Sequence, residues 1–189
     1  MDVVASAARF GDKILSFLAI ILMVVMLSFG GYSLWDTYVT MSGAFLKNDL
    51  LKYKPSLDNP EQTRLSLQEL MAINPDTRAW ITLDGTHIDY PMVQGKDDME
   101  YVNKDVTCEF SLSGSIFLSA KNKADFSDPY MLTYGHHMDN GGMYGDVMEF
   151  IKKDYFDKHL TGHLFLPDGR ARNLEVFAVI ECDAYDRMI

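Results

Sequence analysis

The pattern of apolar and polar positions divides the chain in two. Residues 14–35 are a run of 22 residues without a charge, ILSFLAIILMVVMLSFGGYSLW. At about 1.5 Å per helical residue, such a run reaches across a hydrocarbon core of about 30 Å with some tilt. A cleaved leader has a shorter apolar core followed by small residues. This run ends on Tyr32 and Trp35 instead, side chains suited to a membrane interface, so it reads as a retained transmembrane anchor. Arg9 and Lys13 precede it and Asp36 follows. The positive-inside rule then makes residues 1–13 a cytoplasmic tail and puts residues 36–189 outside the membrane. Gly30-Gly31 reads as a loosened helix end rather than a packing site for a second helix.

Past the anchor the period changes twice. Tyr38, Met41, Phe45, Leu46, Leu50 and Leu51 fall at helical spacing and predict an amphipathic helix over 36–56. Lys54-Pro55 and Asn59-Pro60 read as a break. Ser66-Leu67-Gln68-Glu69 has the form of a capping box, opening a short helix that runs to Ile73 and stops at Asn74-Pro75-Asp76. Residues 36–73 are therefore expected to be N-terminal helices, either a stalk or packed on the domain. From residue 74 the pattern is that of strands. Segments 78–83 and 86–93 face each other across Asp84-Gly85, with Pro91 favouring an edge or a bulge. A helical turn is expected over 97–104, and further strands over 114–118 and 130–134. Val147, Phe150 and Ile151 predict a helix over 144–158. A last hairpin joins 162–167 to 171–182 across Asp168-Gly169. No internal repeat is present. The expectation for 74–189 is a mostly β domain of about six strands with short helices, a mixed β-barrel behind one transmembrane helix.

Composition narrows the function. About 150 residues remain outside the anchor, enough for a substantial core. The net charge of −10 argues against nucleic acid and against a basic membrane-surface patch. Two cysteines, Cys108 and Cys182, do not make a disulfide framework.

The chemistry concentrates where strand 130–134 breaks into Tyr134-Gly135-His136-His137-Met138-Asp139-Asn140-Gly141-Gly142-Met143-Tyr144-Gly145. A buried strand that ends on a histidine holds the imidazole in place yet leaves it in reach of solvent. General acid–base work needs both, and imidazole titrates nearest neutral pH. The plain alternative is a loop histidine without a role.

Tyr134-Gly135-His136-His137-Met138, followed by Gly142-Met143-Tyr144-Gly145-Asp146, resembles the histidine segment of the sortases, class B in particular. Residues 74–94, from Asn74-Pro75-Asp76 through Tyr90-Pro91-Met92-Val93-Gln94, resemble that family's opening strands. Gly114-Ser115-Ile116-Phe117-Leu118 and Asp125-Phe126 fit the same family. The likeness is close over 74 to about 158 and loose to 182. It implies an eight-stranded β-barrel, of which about six strands are present here. It implies a cysteine transpeptidase on a Gram-positive-type surface that cleaves a C-terminal sorting signal of secreted proteins. The thioacyl intermediate is then joined to a peptidoglycan or pilin amine, with no metal or organic cofactor. By resemblance His136 is catalytic, and Asp98 and Val102 lie near the signal-binding groove. The family usually has asparagine where His137 stands, and commonly where Asp98 stands.

Two parts of the family pattern are missing, a Thr-Leu-x-Thr-Cys strand and an arginine shortly after it. Cys108 precedes the histidine, the wrong order. Cys182 sits between Glu181 and Asp183, acidic neighbours that make it a weak nucleophile, and reads as structural. Arg187 reads as a solvated charge. The expectation is that the sequence stops before the last two strands. The His136 strand then lacks a neighbour, residues 36–189 alone are poorly soluble, and this chain alone is inactive. The competing reading is a non-catalytic surface-anchored β-barrel binding module. A metallohydrolase would need ligands beyond His136-His137 and the His159, His163 pair, with no Cys or Glu cluster to complete a zinc set. Asp139-Asn140-Gly141-Gly142 reads as a hydrated loop rather than a calcium loop, and Leu166-Pro167-Asp168-Gly169 as a hairpin turn.

Overall fold

The apolar run is helical well past both of its ends. In the computed structural model, which describes residues 2–43, 45 and 49–183, helix α1 spans Asp2–Gly43. Its stretch Arg9–Met41 is long and apolar enough to cross a membrane, and its most apolar window is not buried against protein. The positions expected to separate tail, anchor and stalk fall inside this one helix. The chain divides into two compact units, Met1–Val39 and Thr40–Ile189. The amphipathic helix predicted over 36–56 is not a single element: α1 ends at Gly43 and a 3-10 turn occupies Leu51–Tyr53. Leu46, Lys47 and Arg187 lie outside the described residues.

Helix α2 (Pro60–Ile73) starts six residues before the predicted capping box. The Asn59-Pro60 pair read as a break is its start signal. The Asn59 side chain accepts from the Gln62 amide at 3.0 Å. Pro60 stands at the first helical position, where its missing N–H would have had no partner anyway. Ser66 is buried in mid-helix with Leu67 and Leu70. Asn59→Ala should lower unfolding free energy by about 1 kcal/mol. An unchanged urea midpoint would remove the cap from this account.

The second unit is built on one six-stranded sheet in the order β4-β3-β2-β1-β5-β6. Its strands are β1 (Thr77–Leu83), β2 (Asp89–Val93), β3 (Ile116–Leu118), β4 (Thr133–Tyr134), β5 (Thr161–Phe165) and β6 (Ala171–Glu175). All neighbours are antiparallel except β2 and β3, which pair in parallel through Met92↔Ile116 and Val93↔Phe117. Side-chain alternation sorts these strands onto two buried faces. Trp80, Val93, Phe117 and Phe165 point to the face covered by Leu67 and Leu70 of α2. Ala79, Tyr90, Met92, Ile116, Leu118 and Leu164 point to the other, which is covered by Phe126 and Met143 from loops. A sheet buried on both sides explains why its central strands read as apolar runs.

Four sequence expectations need correction. Pro91 is not on an edge, because β2 lies between β1 and β3; it pairs with Trp80 just ahead of the two-residue ladder to β3. The irregularity near it is a register shift in β1 between Thr77 and Ala79. Strand 130–134 shrinks to Thr133–Tyr134 because the preceding loop takes the backbone of Leu132, whose amide donates to Asn122 Oδ1 at 2.9 Å and whose carbonyl accepts from Ser119. The helix over 144–158 is a 3-10 helix, Gly145–Ile151, followed by the one-turn helix α3 (Lys153–Phe156). Of its three apolar markers Phe150 is buried, with Val147 and Ile151 exposed. Strand 171–182 ends at Glu175, after which residues 176–183 are irregular and Phe177 and Ile180 are exposed.

Candidate active site

His136 follows β4, which forms one edge of the sheet. The strand is short but well seated: Phe117↔Tyr134 and Leu118↔Thr133 pair it to β3, and the Phe117 and Tyr134 rings lie 5.2 Å apart. Gly135 then packs closely against the side chains on one face of the sheet. A Cβ there would sit 2.8 Å from the Tyr144 ring and 3.3 Å from Ile116. Gly135 thus faces the loop-covered side, and Tyr134 packs on the other. The His136 side chain is half-buried and has no hydrogen-bond or ion-pair partner among the described residues.

The segment after His136 packs back on the sheet. The Tyr144 amide donates to the His136 carbonyl at 3.0 Å, and His137 and Met143 form an isolated antiparallel bridge. Met138, Met143 and Tyr144 pack on the second face of the sheet. The Tyr144 hydroxyl meets Thr133 Oγ1 at 3.0 Å, and burial pushes that phenol up to about 12 against the lowering effect of the Thr133 bond. Met143 has φ +53° and gives its amide to the Tyr90 hydroxyl at 3.0 Å. Burial raises the Tyr90 phenol, and the Met143 bond opposes that shift. The loop then closes on Asp146, a buried carboxylate that accepts from the His87 amide at 2.7 Å and meets His87 Nδ1 at 3.0 Å. Asn140 Oδ1 accepts from the Gly142 amide at 3.1 Å, so the Asp-Asn-Gly-Gly stretch is an Asx-type turn.

The other predicted site residues scatter along the β3–β4 pair. Asp98 accepts from the Ala120 amide at 2.6 Å and from Ser119 Oγ at 3.1 Å, both just after β3. His136 follows β4, which runs antiparallel to β3, so the two leave opposite ends of the pair. Val102 stands at the His136 end: its carbonyl is 2.2 Å from where a Cβ on Gly114, just before β3, would lie. Val102 and Tyr134 pack against the same core cluster. Both cysteines are exposed and unpaired with each other. Cys108 has φ +67° and its sulfur lies 3.9 Å from the Tyr101 hydroxyl; Cys182 lies in the irregular segment past β6. His137 is exposed and its Nε2 is 3.6 Å from Asp139. His159 stacks on Tyr155 and places Nδ1 2.7 Å from the Tyr155 carbonyl, whereas His163 belongs to β5. Among the described residues, no three His, Cys, Asp or Glu side chains gather at metal-binding distance.

Sequence reasoning quoted Asp146 and Tyr144 as motif letters but assigned them no partners, and it missed Tyr90 and His87 as supports of the loop. The contacts span 59 and 53 residues and leave no local signal.

No protein-family profile matches the chain. It is 29% identical over 180 residues to sortase B of Staphylococcus aureus, covering 94% of this chain and 73% of that protein. It is 34% identical over 122 residues to sortase B of Listeria monocytogenes, covering 64% of this chain and 48% of that protein, so it spans about half of this second relative's length. Its fold superposes on a Streptococcus pyogenes class B sortase involved in pilus biogenesis with a TM-score of 0.61 and 46% identity, covering 64% of this chain and 66% of that one.

Proposed function

Since this chain belongs to the class B sortase family, we propose that its residues form the acid–base side of a membrane-anchored cysteine transpeptidase. The observation that carries the reading is His136 at the edge of the sheet, half-buried, its ring without a partner among the described residues and its backbone fixed on both sides. The reaction runs in two steps. A cysteine thiolate attacks the scissile carbonyl of a sorting signal near the C-terminus of a secreted protein. The peptide C–N bond breaks, a thioacyl bond forms, and the His136 imidazolium gives its proton to the departing amine. An amine of peptidoglycan or of a pilin lysine then attacks the thioester, gives its proton to His136 and expels the thiolate. An arginine stabilises the developing oxyanion.

Neither Cys108 nor Cys182 stands in the family's nucleophile motif, so residues 1–189 on their own do not turn over. α1 holds the enzyme in the membrane as a single span, with the N-terminus cytoplasmic and the sheet domain outside. Val102, which packs on the same core cluster as Tyr134, lines the signal-binding groove, and Asp98 shapes it through Ser119 and Ala120.

The test uses the full-length native protein, its mass determined intact. It is incubated with sorting-signal peptides and either a diamine or hydroxylamine, which captures a thioester as a hydroxamate. Ligated product and hydroxamate are expected. A native protein that ends at Ile189, binds the peptides and yields neither product is a surface-anchored binding module instead.

A further inference from the structure

We propose that Tyr90 is a positioning residue for His136, acting through the Met143 amide. This rests on the reading of His136 as the acid–base group. The His136 ring has no partner among the described residues, so its place is set by its backbone. Upstream that backbone is held by β4. Downstream it is held by the limb that returns from the loop: the His137–Met143 bridge and the Tyr144 amide on the His136 carbonyl at 3.0 Å. Met143 sits at the junction with φ +53°, a left-handed backbone that non-glycine residues seldom adopt. The residue as a whole is 4% exposed, so its amide has little access to water.

The Tyr90 hydroxyl accepts that amide at 3.0 Å. Tyr90 is a rigid support: its ring is 5% exposed, and its backbone pairs with Ile81 inside the sheet. A strained backbone persists when its surroundings over-determine it. Here the hydroxyl satisfies the one donor that the left-handed turn would otherwise strand in the core. That turn in turn aims the next amide, Tyr144 N–H, at His136. Thr133 and the His87–Asp146 pair anchor the same limb further along. Tyr90 acts at the residue whose conformation decides the geometry.

The test is Tyr90→Phe in the full-length protein, which keeps the ring and deletes the acceptor. The expected result is a fall in kcat of about 10- to 100-fold with KM within about twofold, because misplacement of a reacting group costs rate rather than binding. Glycine adopts the left-handed backbone without support. In a Met143→Gly background the Tyr90→Phe change should therefore alter kcat by less than about threefold. The Tyr144 amide should exchange faster in Tyr90→Phe, and the His136 ring NMR signals should move. A lowered melting temperature with kcat, Tyr144 exchange and His136 signals unchanged would show Tyr90 to be packing alone and overturn the proposal. So would an equal kcat loss with and without Met143→Gly. If the wild-type protein ligates no peptide, the functional reading fails; the exchange and ring signals still decide the positioning.

Discussion

In the full-length protein, His136→Ala lowers kcat/KM for peptide ligation by about 10³-fold and leaves the unfolding midpoint in place. Both halves of this result come from the site. A peptide amine is a poor leaving group until it is protonated, and a positioned imidazole supplies that proton for about 10²–10⁴ in rate. A 10³-fold loss corresponds to about 4 kcal/mol of transition-state stabilisation. The fold has no such stake in the ring. It is half-buried with no hydrogen-bond partner among the described residues, so truncating it leaves no buried donor or acceptor unpaired. His137 is the necessary control. Its exposed ring is 3.6 Å from the more exposed Asp139, a pair worth little in water. His137→Ala should therefore keep activity within about threefold of wild type. Any limb of the pH–rate profile that persists in His137→Ala belongs to another group, and its loss in His136→Ala assigns it. Activity above a tenth of wild type in His136→Ala, or a larger loss in His137→Ala, would remove His136 from the acid–base role.

The sheet was legible where local chemistry decides the structure. Asp84-Gly85 and Asp168-Gly169 mark their turns because Gly85 and Gly169 adopt φ of +74° and +87°, which few other residues accept. The apolar runs around Trp80, Met92 and Phe117 are strands buried on both faces. What escaped was decided at a distance. Asn59-Pro60 has two local meanings, a break or a helix start, and only the packing of Leu67 and Leu70 on the sheet selects the second. Leu132 looks like strand, but Asn122 and Ser119 occupy its backbone groups. The i, i+3, i+4 spacing of Val147, Phe150 and Ile151 suggested an α-helix, but of these three only Phe150 is buried, its ring against Tyr155, Phe156 and His159. A 3-10 turn satisfies it.

The same division runs through the site. His136 was singled out because a strand end followed by Gly-His is visible in sequence and resembles a known motif. Its supports were not. A tyrosine on β2, a histidine in the β1–β2 turn and an aspartate ten residues past His136 share no spacing. Tyr90, His87 and Asp146 become one structure only when the loop lies back on the sheet. The motif glycines were legible as letters, but the reason for them is steric and needs coordinates.

Gly145→Ala is the sharpest test of that steric reason. A Cβ on Gly145 would lie 2.2 Å from the Met138 carbonyl oxygen, 3.2 Å from its carbon and 3.3 Å from the Met138 nitrogen. Those atoms are backbone, so no rotamer change relieves the clash. At Gly135 the new methyl meets the Tyr144 ring and Ile116 Cγ1, which are side-chain atoms and can shift. At Gly145 the limb carrying Met138 must move off the limb carrying Tyr144. That motion strips the Gly141 amide bond to Met138 and the Gly145 amide bond to Gly142, and it pulls Tyr144 from the His136 carbonyl. Overpacking of this kind costs about 1–3 kcal/mol of stability. The rate should fall further than the lost folded fraction accounts for, by at least about tenfold at a temperature where both proteins are folded. Faster exchange of the Tyr144 amide would tie the loss to the loop rather than to global unfolding. A variant with wild-type melting temperature and wild-type kcat would mean that the two limbs do not pack as described. The account of how His136 is held would then fail with it.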